Sequence, residues 1–371
     1  MTKAFSPSPL FQRVERARRR KHRFTDTQIT LAHGSGGRAM HELIEGLFLD
    51  YFRNPLLERL EDQAVFELAA HNGNKSSRVA YTTDSYVVSP IFFPGGDIGK
   101  LAINGTVNDL AVSGARPLYL SAGFILEEGF AIDELKQVLS SMRDAAIEAG
   151  VVVVTGDTKV VQKGGADKIF INTSGIGTVD SDINVSATRA QPGDKVLVSG
   201  TLGDHGTTIM IARGELELET DIESDCAPLQ ALVAEMIDEA RGRNALEGLH
   251  CLRDPTRGGL ATTLNEISVS SDICIEIEEN LLPVREEVKG ACEILGLDPL
   301  YVANEGKLVA IVSAELAEPL VRRMKQNRYG VDACIIGEIK PEPAGIVSMR
   351  TGFGGTRIVD MLVGEQLPRI C

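Results

Sequence analysis

Much that would announce a familiar chemistry is missing from this sequence. Its six cysteines, Cys226, Cys251, Cys274, Cys292, Cys334 and Cys371, form no CxxC pair and show no ligand-like spacing. That argues against a zinc or iron–sulfur centre built from thiolates, and for a reducing, cytoplasmic compartment. No uninterrupted apolar run approaches the roughly 18 residues that a spanning helix needs, so an integral membrane protein is not expected. The stretch GGDIGKL (95–101) superficially resembles a phosphate loop but fails GxxxxGK-S/T, because Pro94 takes the first glycine position and Leu101 the last. GIGTVD is not a dinucleotide fingerprint. His33, His41, His71, His205 and His250 have no readable relation to a nucleophile, so no Ser–His–Asp or Cys–His array is legible.

What is present is an ordinary soluble balance, 43% apolar and 24% charged, over 371 residues. That length accommodates two domains with cores of their own. The net charge of −14 is uneven: residues 1–25 carry +7, leaving −21 on the remainder. The basic segment lacks the apolar stretch of a secretory signal and reads as a solvated extension, with a nucleic-acid or partner-binding arm as the other possibility. The acidic body disfavours nucleic acid as a partner.

From Ile29 the pattern becomes regular. A glycine-rich loop, HGSGG (33–37), leads into an amphipathic helix with Met40, Leu43, Leu47 and Phe48 on one side. Residues 78–93 read as a strand, 95–115 as a helix, PLYLSAGFIL as a strand, and 130–150 as a helix closed by Gly150. VVVVTGDTKVV and KIFINTSGIGTV follow as strands. A Pro-Gly-Asp turn at 190–195 marks a boundary, after which strands and helices alternate to about residue 341. The expected organisation is therefore a basic extension (1–28), an α+β domain (29–190), an α/β domain (191–341), and a Gly/Pro-rich tail (342–371) laid over the finished domain.

Asp62, Asp84, Asp109 and Asp254 sit in apolar or glycine-rich surroundings, where a carboxylate needs a partner. Magnesium bridging carboxylates to substrate phosphates is one such partner; helix caps and ion pairs are the other. Lys159, in TGDTKVV, could steady a phosphoryl group or an oxyanion, and Glu305, in VANEGKLVA, could remove a proton, although from spacing alone a strand-end salt bridge explains each of them better. The last residue, Cys371, is a thiol in a position that is usually frayed and open to oxidation, a liability unless the protein uses it as a swinging arm.

HGSGG, TTDSYVVSPIFFPGGDIGKLAINGTVNDLAVSGA, GDTKVV, LGDHG, RDPTRGGLATTLNE, NEGK and the closing PRIC occur in order between Ile29 and Cys371. Together they resemble the HypE family of nickel–iron hydrogenase maturation proteins. The basic residues 1–25 precede the usual start of that family. The resemblance implies the fold of aminoimidazole-ribonucleotide synthetase and selenophosphate synthetase (PurM-like), with a homodimer formed through N-terminal strands. It implies ATP and Mg²⁺ as cofactors, Asp62, Asp84, Asp109 and Asp254 as metal–phosphate carboxylates, and Thr106, Asn108 and Gly156 close to the nucleotide. It implies further that Cys371 receives a carbamoyl group from HypF. ATP would then drive dehydration of the S-carboxamide to a thiocyanate, with Glu305 as base and Lys159 steadying the phosphoryl group. The cyanide would pass to iron on a HypC–HypD complex. A selenophosphate synthetase-like enzyme and a non-catalytic thiol carrier are the alternatives; the first is disfavoured because HGSGG offers only Ser35 where a cysteine or selenocysteine is expected.

Overall fold

A computed structural model describes residues 24, 26–68, 77–216, 220–364 and 369–371. Most of the basic extension therefore lies outside the described residues. Two sheets organise the rest. The first is built from β1 (Ala64–Leu68), β2 (Ser77–Tyr86), β5 (Ala115–Glu127), β6 (Val152–Val161) and β7 (Ile169–Val179), in the order β1-β2-β7-β5-β6. Its pairs are antiparallel except β5 with β6. Two short strands, β3 (Phe92–Phe93) and β4 (Gly96–Asp97), form a small hairpin beside it.

The helix Ile98–Val112 lies against this sheet. Asp97 starts it: Oδ1 accepts from the amides of Gly99 (2.7 Å) and Lys100 (3.0 Å), satisfying donors that the first turn leaves over. Nearly every residue of the helix is buried, because one side meets the sheet and the other meets the outer helix Ile132–Ala149 and the second domain. The entry segment departs from the expected single amphipathic helix. It breaks into Arg38–Leu43, a π-turn at 44–48 and Leu49–Phe52, which buries Leu43 and Leu49 and leaves Phe48 47% exposed.

The second sheet contains β8 (Lys195–Val198), β9 (Leu249–Arg253), β10 (Cys274–Glu278), β11 (Val309–Val312), β12 (Cys334–Lys340), β13 (Ile346–Arg350) and β14 (Thr356–Val359). Their order is β14-β13-β10-β12-β8-β11-β9, antiparallel except β10 with β13. This corrects the expected tail. Residues 346–359 are not laid over a finished domain but complete its sheet, with Ile346, Val347 and Met349 in the core. The proline- and glycine-rich composition that suggested a tail belongs to the turns around them, including a Gly345 amide bonded to the Ile273 carbonyl.

One apolar cluster joins the halves: Leu110 and Val112 of the N-terminal helix pack with Leu232, Met236, Leu252 and Leu320. The cleft between the sheets is thus fixed by a shared core. Among the described residues no helix is long and apolar enough to cross a membrane.

Candidate active site

A cavity of about 610 Å³ opens between the sheets, large enough for a nucleotide-sized ligand. One part of its wall is apolar, from Met40, Ile44, Leu56, Leu57 and Leu60. Another is acidic, and the structure brings Asp62, Asp84, Asp109 and Asp254 together there. They arrive from separate elements: the approach to β1, β2, the buried helix, and the residue after β9. The Thr82 hydroxyl lies 2.8 Å from Asp109 Oδ2 and 2.9 Å from the Asp62 carbonyl, tying two of these elements.

Positive charge at this wall is scarce. Arg253 Nε lies 2.6 Å from Asp62 Oδ2, but the same guanidinium also meets Glu266 at 2.7 Å and approaches Glu61 at 3.9 Å. His41 in turn contacts Glu266 at 2.8 Å. Burial, followed by the neighbouring carboxylates, pushes Asp109 well above the usual carboxylate range. Burial does the same to Asp62 despite the opposing pull of Arg253. Asp254 is raised to about 6, again chiefly by burial.

This donor set fits a hard divalent cation, whose charge would relieve the repulsion. Among the described residues, however, no three His, Cys, Asp or Glu side chains converge into a ready-made metal cage. The fit is to an ion completed by phosphate oxygens and water, which is how magnesium is commonly held.

Beyond the acidic wall lies Glu305, 3% exposed and with no hydrogen-bond partner for Oε1 among the described residues. Its backbone is held more firmly than its carboxyl. The Glu305 amide donates to Asp225 Oδ1 at 3.0 Å, and Asn108 Nδ2 lies 3.4 Å from its carbonyl. Gly306 permits the turn, since a Cβ there would come 1.8 Å from the Asp225 carbonyl oxygen. Burial, then Asp225, Asp254 and Asp84, raise Glu305 well above an ordinary glutamate.

Cys371 is docked here. Its carbonyl accepts from the Val87 amide at 2.9 Å, and Ile370 enters the N-terminal core cluster. Burial raises the thiol, Arg257 opposes that, and Glu305 and Asp84 add to it, so all three charges act on the sulfur. Arg257 also lines the cavity and donates to the Gly34 carbonyl at 3.1 Å. Gly36, at φ +76°, lets the HGSGG loop close on it; a Cβ would sit 2.5 Å from the Arg257 carbonyl.

Other expected site residues lie elsewhere. Asn108 spends its amide behind the site, bonded to the Ala227 carbonyl at 3.0 Å and to the Leu229 amide at 2.8 Å. Thr106 is buried between Thr173 (2.5 Å) and Tyr86 (3.4 Å). Lys159 and Gly156 are on β6, three strands from Asp84, roughly 14 Å at ordinary strand spacing. The Lys159 side chain is 69% exposed and pairs with Asp157 at 2.5 Å. Sequence reasoning passed over Arg253, Arg257, Asp225 and His205. Both arginines stand in the RDPTRGG stretch and His205 in LGDHG, so the motifs contained them without revealing their partners.

Comparison with known proteins identifies the fold and the family. The AIR synthase related protein N-terminal domain matches residues 60–179, and its C-terminal domain matches 191–350. Carbamoyl dehydratase HypE of Azotobacter vinelandii is 53% identical over 92% of this chain and 97% of its own length. The Escherichia coli protein of that name is 48% identical over 92% and 99%. A solved structure of the hydrogenase maturation protein HypE in complex with ATP superposes with a TM-score of 0.75 at 50% identity, covering 93% of this chain and all of that one. A HypE–HypF complex gives 0.78 at 50% identity, over 86% and 99%. Thiamine monophosphate kinase from Aquifex aeolicus, 19% identical with a TM-score of 0.59, shares the fold. The chain belongs to the HypE family of carbamoyl dehydratases.

Proposed function

We propose that the chain dehydrates an S-carboxamide carried on its own Cys371 to a thiocyanate, with ATP as the co-substrate, and so supplies the cyanide ligand of a nickel–iron hydrogenase. The observation that carries this reading is the docking of the Cys371 end onto Val87 and the N-terminal core, where Arg257, Glu305 and Asp84 act electrostatically on the sulfur beside a nucleotide-sized acidic cavity.

An amide oxygen is a poor leaving group. Transfer of the γ-phosphoryl group to it, with loss of one N–H proton, yields ADP and a phosphorylated thioimidate on the sulfur. Breaking the carbon–oxygen bond releases phosphate, and loss of the second N–H proton completes the nitrile. Glu305 is the group suited to take a proton: its Oε1 is buried with no hydrogen-bond partner among the described residues, and its charge acts on the sulfur. Arg257 supports the negative charge that builds on the oxygen. The apolar part of the cavity suits a nucleobase. Asp62, Asp84, Asp109 and Asp254 would hold magnesium, which when bound neutralises the triphosphate.

The expected partners are HypF as carbamoyl donor and a HypC–HypD complex as cyanide acceptor, in the cytoplasm, where six unpaired cysteines are at home. A homodimer is supported by β6. It is an edge strand with Val152, Val153, Val154 and Val160 exposed, and such edges seek a second strand. Pairing there would also cover Gly156 and Lys159, which a single chain leaves in solvent. Residues 29–190 would be the nucleotide-binding and dimerising part, and 191–341 with β13 and β14 the second domain.

The test is the intact mass of the C-terminal peptide after incubation with carbamoyl phosphate, HypF and ATP. A carbamoyl adduct on Cys371 that loses one water only with Mg-ATP is the expected result. An adduct that never loses water, on a chain that binds ATP, would make it a carrier.

A further inference from the structure

The last three residues meet a seat whose donors match them one by one. The Cys371 carbonyl accepts from the Val87 amide at 2.9 Å, and the Arg369 carbonyl from the Ser89 amide at 3.2 Å. Between them, the Ile370 carbonyl lies 2.8 Å from His205 Nε2. Arg213 Nη2 donates to the Arg369 carbonyl, while its Nε donates to the Ser89 carbonyl at 2.5 Å, so one guanidinium binds both the tail and the loop that receives it.

His205 is fully buried. A carbonyl can only accept, so Nε2 must carry the proton when it bonds Ile370. Nδ1 is then free to accept from the Ser224 hydroxyl at 2.8 Å, and Ser224 Oγ in turn accepts from the Cys226 amide at 3.2 Å. The Phe93 ring meets the imidazole edge-on, centroids 5.6 Å apart, and fixes its plane. Without the tail, the Nε2 proton would be left buried and unpaired, a costly state. The Ile370 side chain, 3% exposed, fills the apolar floor with Phe93, Ile209 and Ala303.

We infer that His205 and Arg213 are positioning residues: they bind the peptide carbonyls of Ile370 and Arg369 and thereby seat the loaded Cys371 at Glu305 and Arg257 for dehydration. The inference rests on the dehydratase reading for its functional half only. Neither side chain touches the reacting atoms. They act by setting how often the sulfur occupies the site, and the exposed pair of Arg369 with Asp167 adds little to that hold.

The experiment uses the full chain and reads two quantities. The first is the rate at which iodoacetamide alkylates unloaded Cys371, followed on the C-terminal peptide, in the absence of nucleotide. His205→Leu and Arg213→Met should each raise it about five- to tenfold, the worth of one net hydrogen bond, while His205→Gln, whose amide N–H can still reach Ile370, should stay close to the parent. The second is single-turnover thiocyanate formation with chains loaded to the same extent, which should fall by a similar factor in the Leu and Met variants and recover in the Gln variant. Unchanged alkylation in folded variants would overturn the seat. Faster alkylation with unchanged dehydration would leave a tail anchor with no part in catalysis and overturn the positioning role. Faster alkylation in variants of a parent that makes no thiocyanate would keep the seat and remove the dehydratase reading. If His205→Leu does not fold, the half-buried Arg213 carries the test alone.

Discussion

Toward one end of the N-terminal sheet, β2, next to the edge strand β1, places Asp84 in a wall of buried carboxylates; at the other end, β6 holds Lys159 in solvent beside Asp157. Both residues lie in stretches rich in β-branched neighbours, and both carry one charge. Their surroundings separate them. At the β2 end, the neighbouring Asp62, Asp109 and Asp254 are raised by burial and held in mutual repulsion. At the β6 end the lysine is already neutralised by an exposed partner, an arrangement that contributes little in water. A charged side chain becomes reactive when the fold withholds its counter-charge, and only the β2 end does that within one chain.

The comparison can be broken or sharpened by variants. Glu305→Gln should slow single-turnover dehydration by about 10²–10⁴-fold with nucleotide affinity retained; a loss under tenfold would remove Glu305 as the base. Val153→Asp at the opposite end should shift the homodimer to monomer by light scattering, weakening association by roughly 30-fold or more. A Val153→Asp chain that still dimerises would take β6 out of the interface. Asp109→Asn should weaken Mg-ATP binding by about tenfold in calorimetry. The same experiment across pH has a definite sign. Asp254 is raised to about 6, and burial raises Asp62 and Asp109 as well, so protons compete with the cation; affinity should fall as pH drops through about 6 and protons should be released on binding. A flat profile between pH 5 and 8 would mean that these carboxylates are not the ligands. The smallest functional effect belongs to Asn108→Ala. It should cost about 1–3 kcal/mol of stability in urea, with less change in Mg-ATP affinity than Asp109→Asn.

That last pair also explains what the sequence could and could not reveal. Asp109 was legible because a carboxylate among Val, Leu and Ala on a helix demands a reason. Asn108 is its immediate neighbour, but one residue turns a helix by about 100°. The amide therefore points toward Ala227 and Leu229 rather than into the cavity. Lys159 was drawn into the expected site by its motif, and the position of β6 at the sheet edge is a long-range fact that local pattern does not carry. The same holds for the groups that were missed. His205 finds Ile370 across 165 residues and Arg257 finds Gly34 across 223. The entry helix failed for another reason: its apolar spacing was read correctly, but the π-turn at 44–48 rotates Phe48 outward.

The docked thiol has a further consequence. Seated at Cys371, the sulfur is held protonated, because burial and two carboxylates outweigh Arg257. A neutral thiol is a weak nucleophile and a slow target for peroxide, since both reactions run through the thiolate. The seat is therefore also a safety catch. A docked, unloaded arm is less reactive than the same thiol in water.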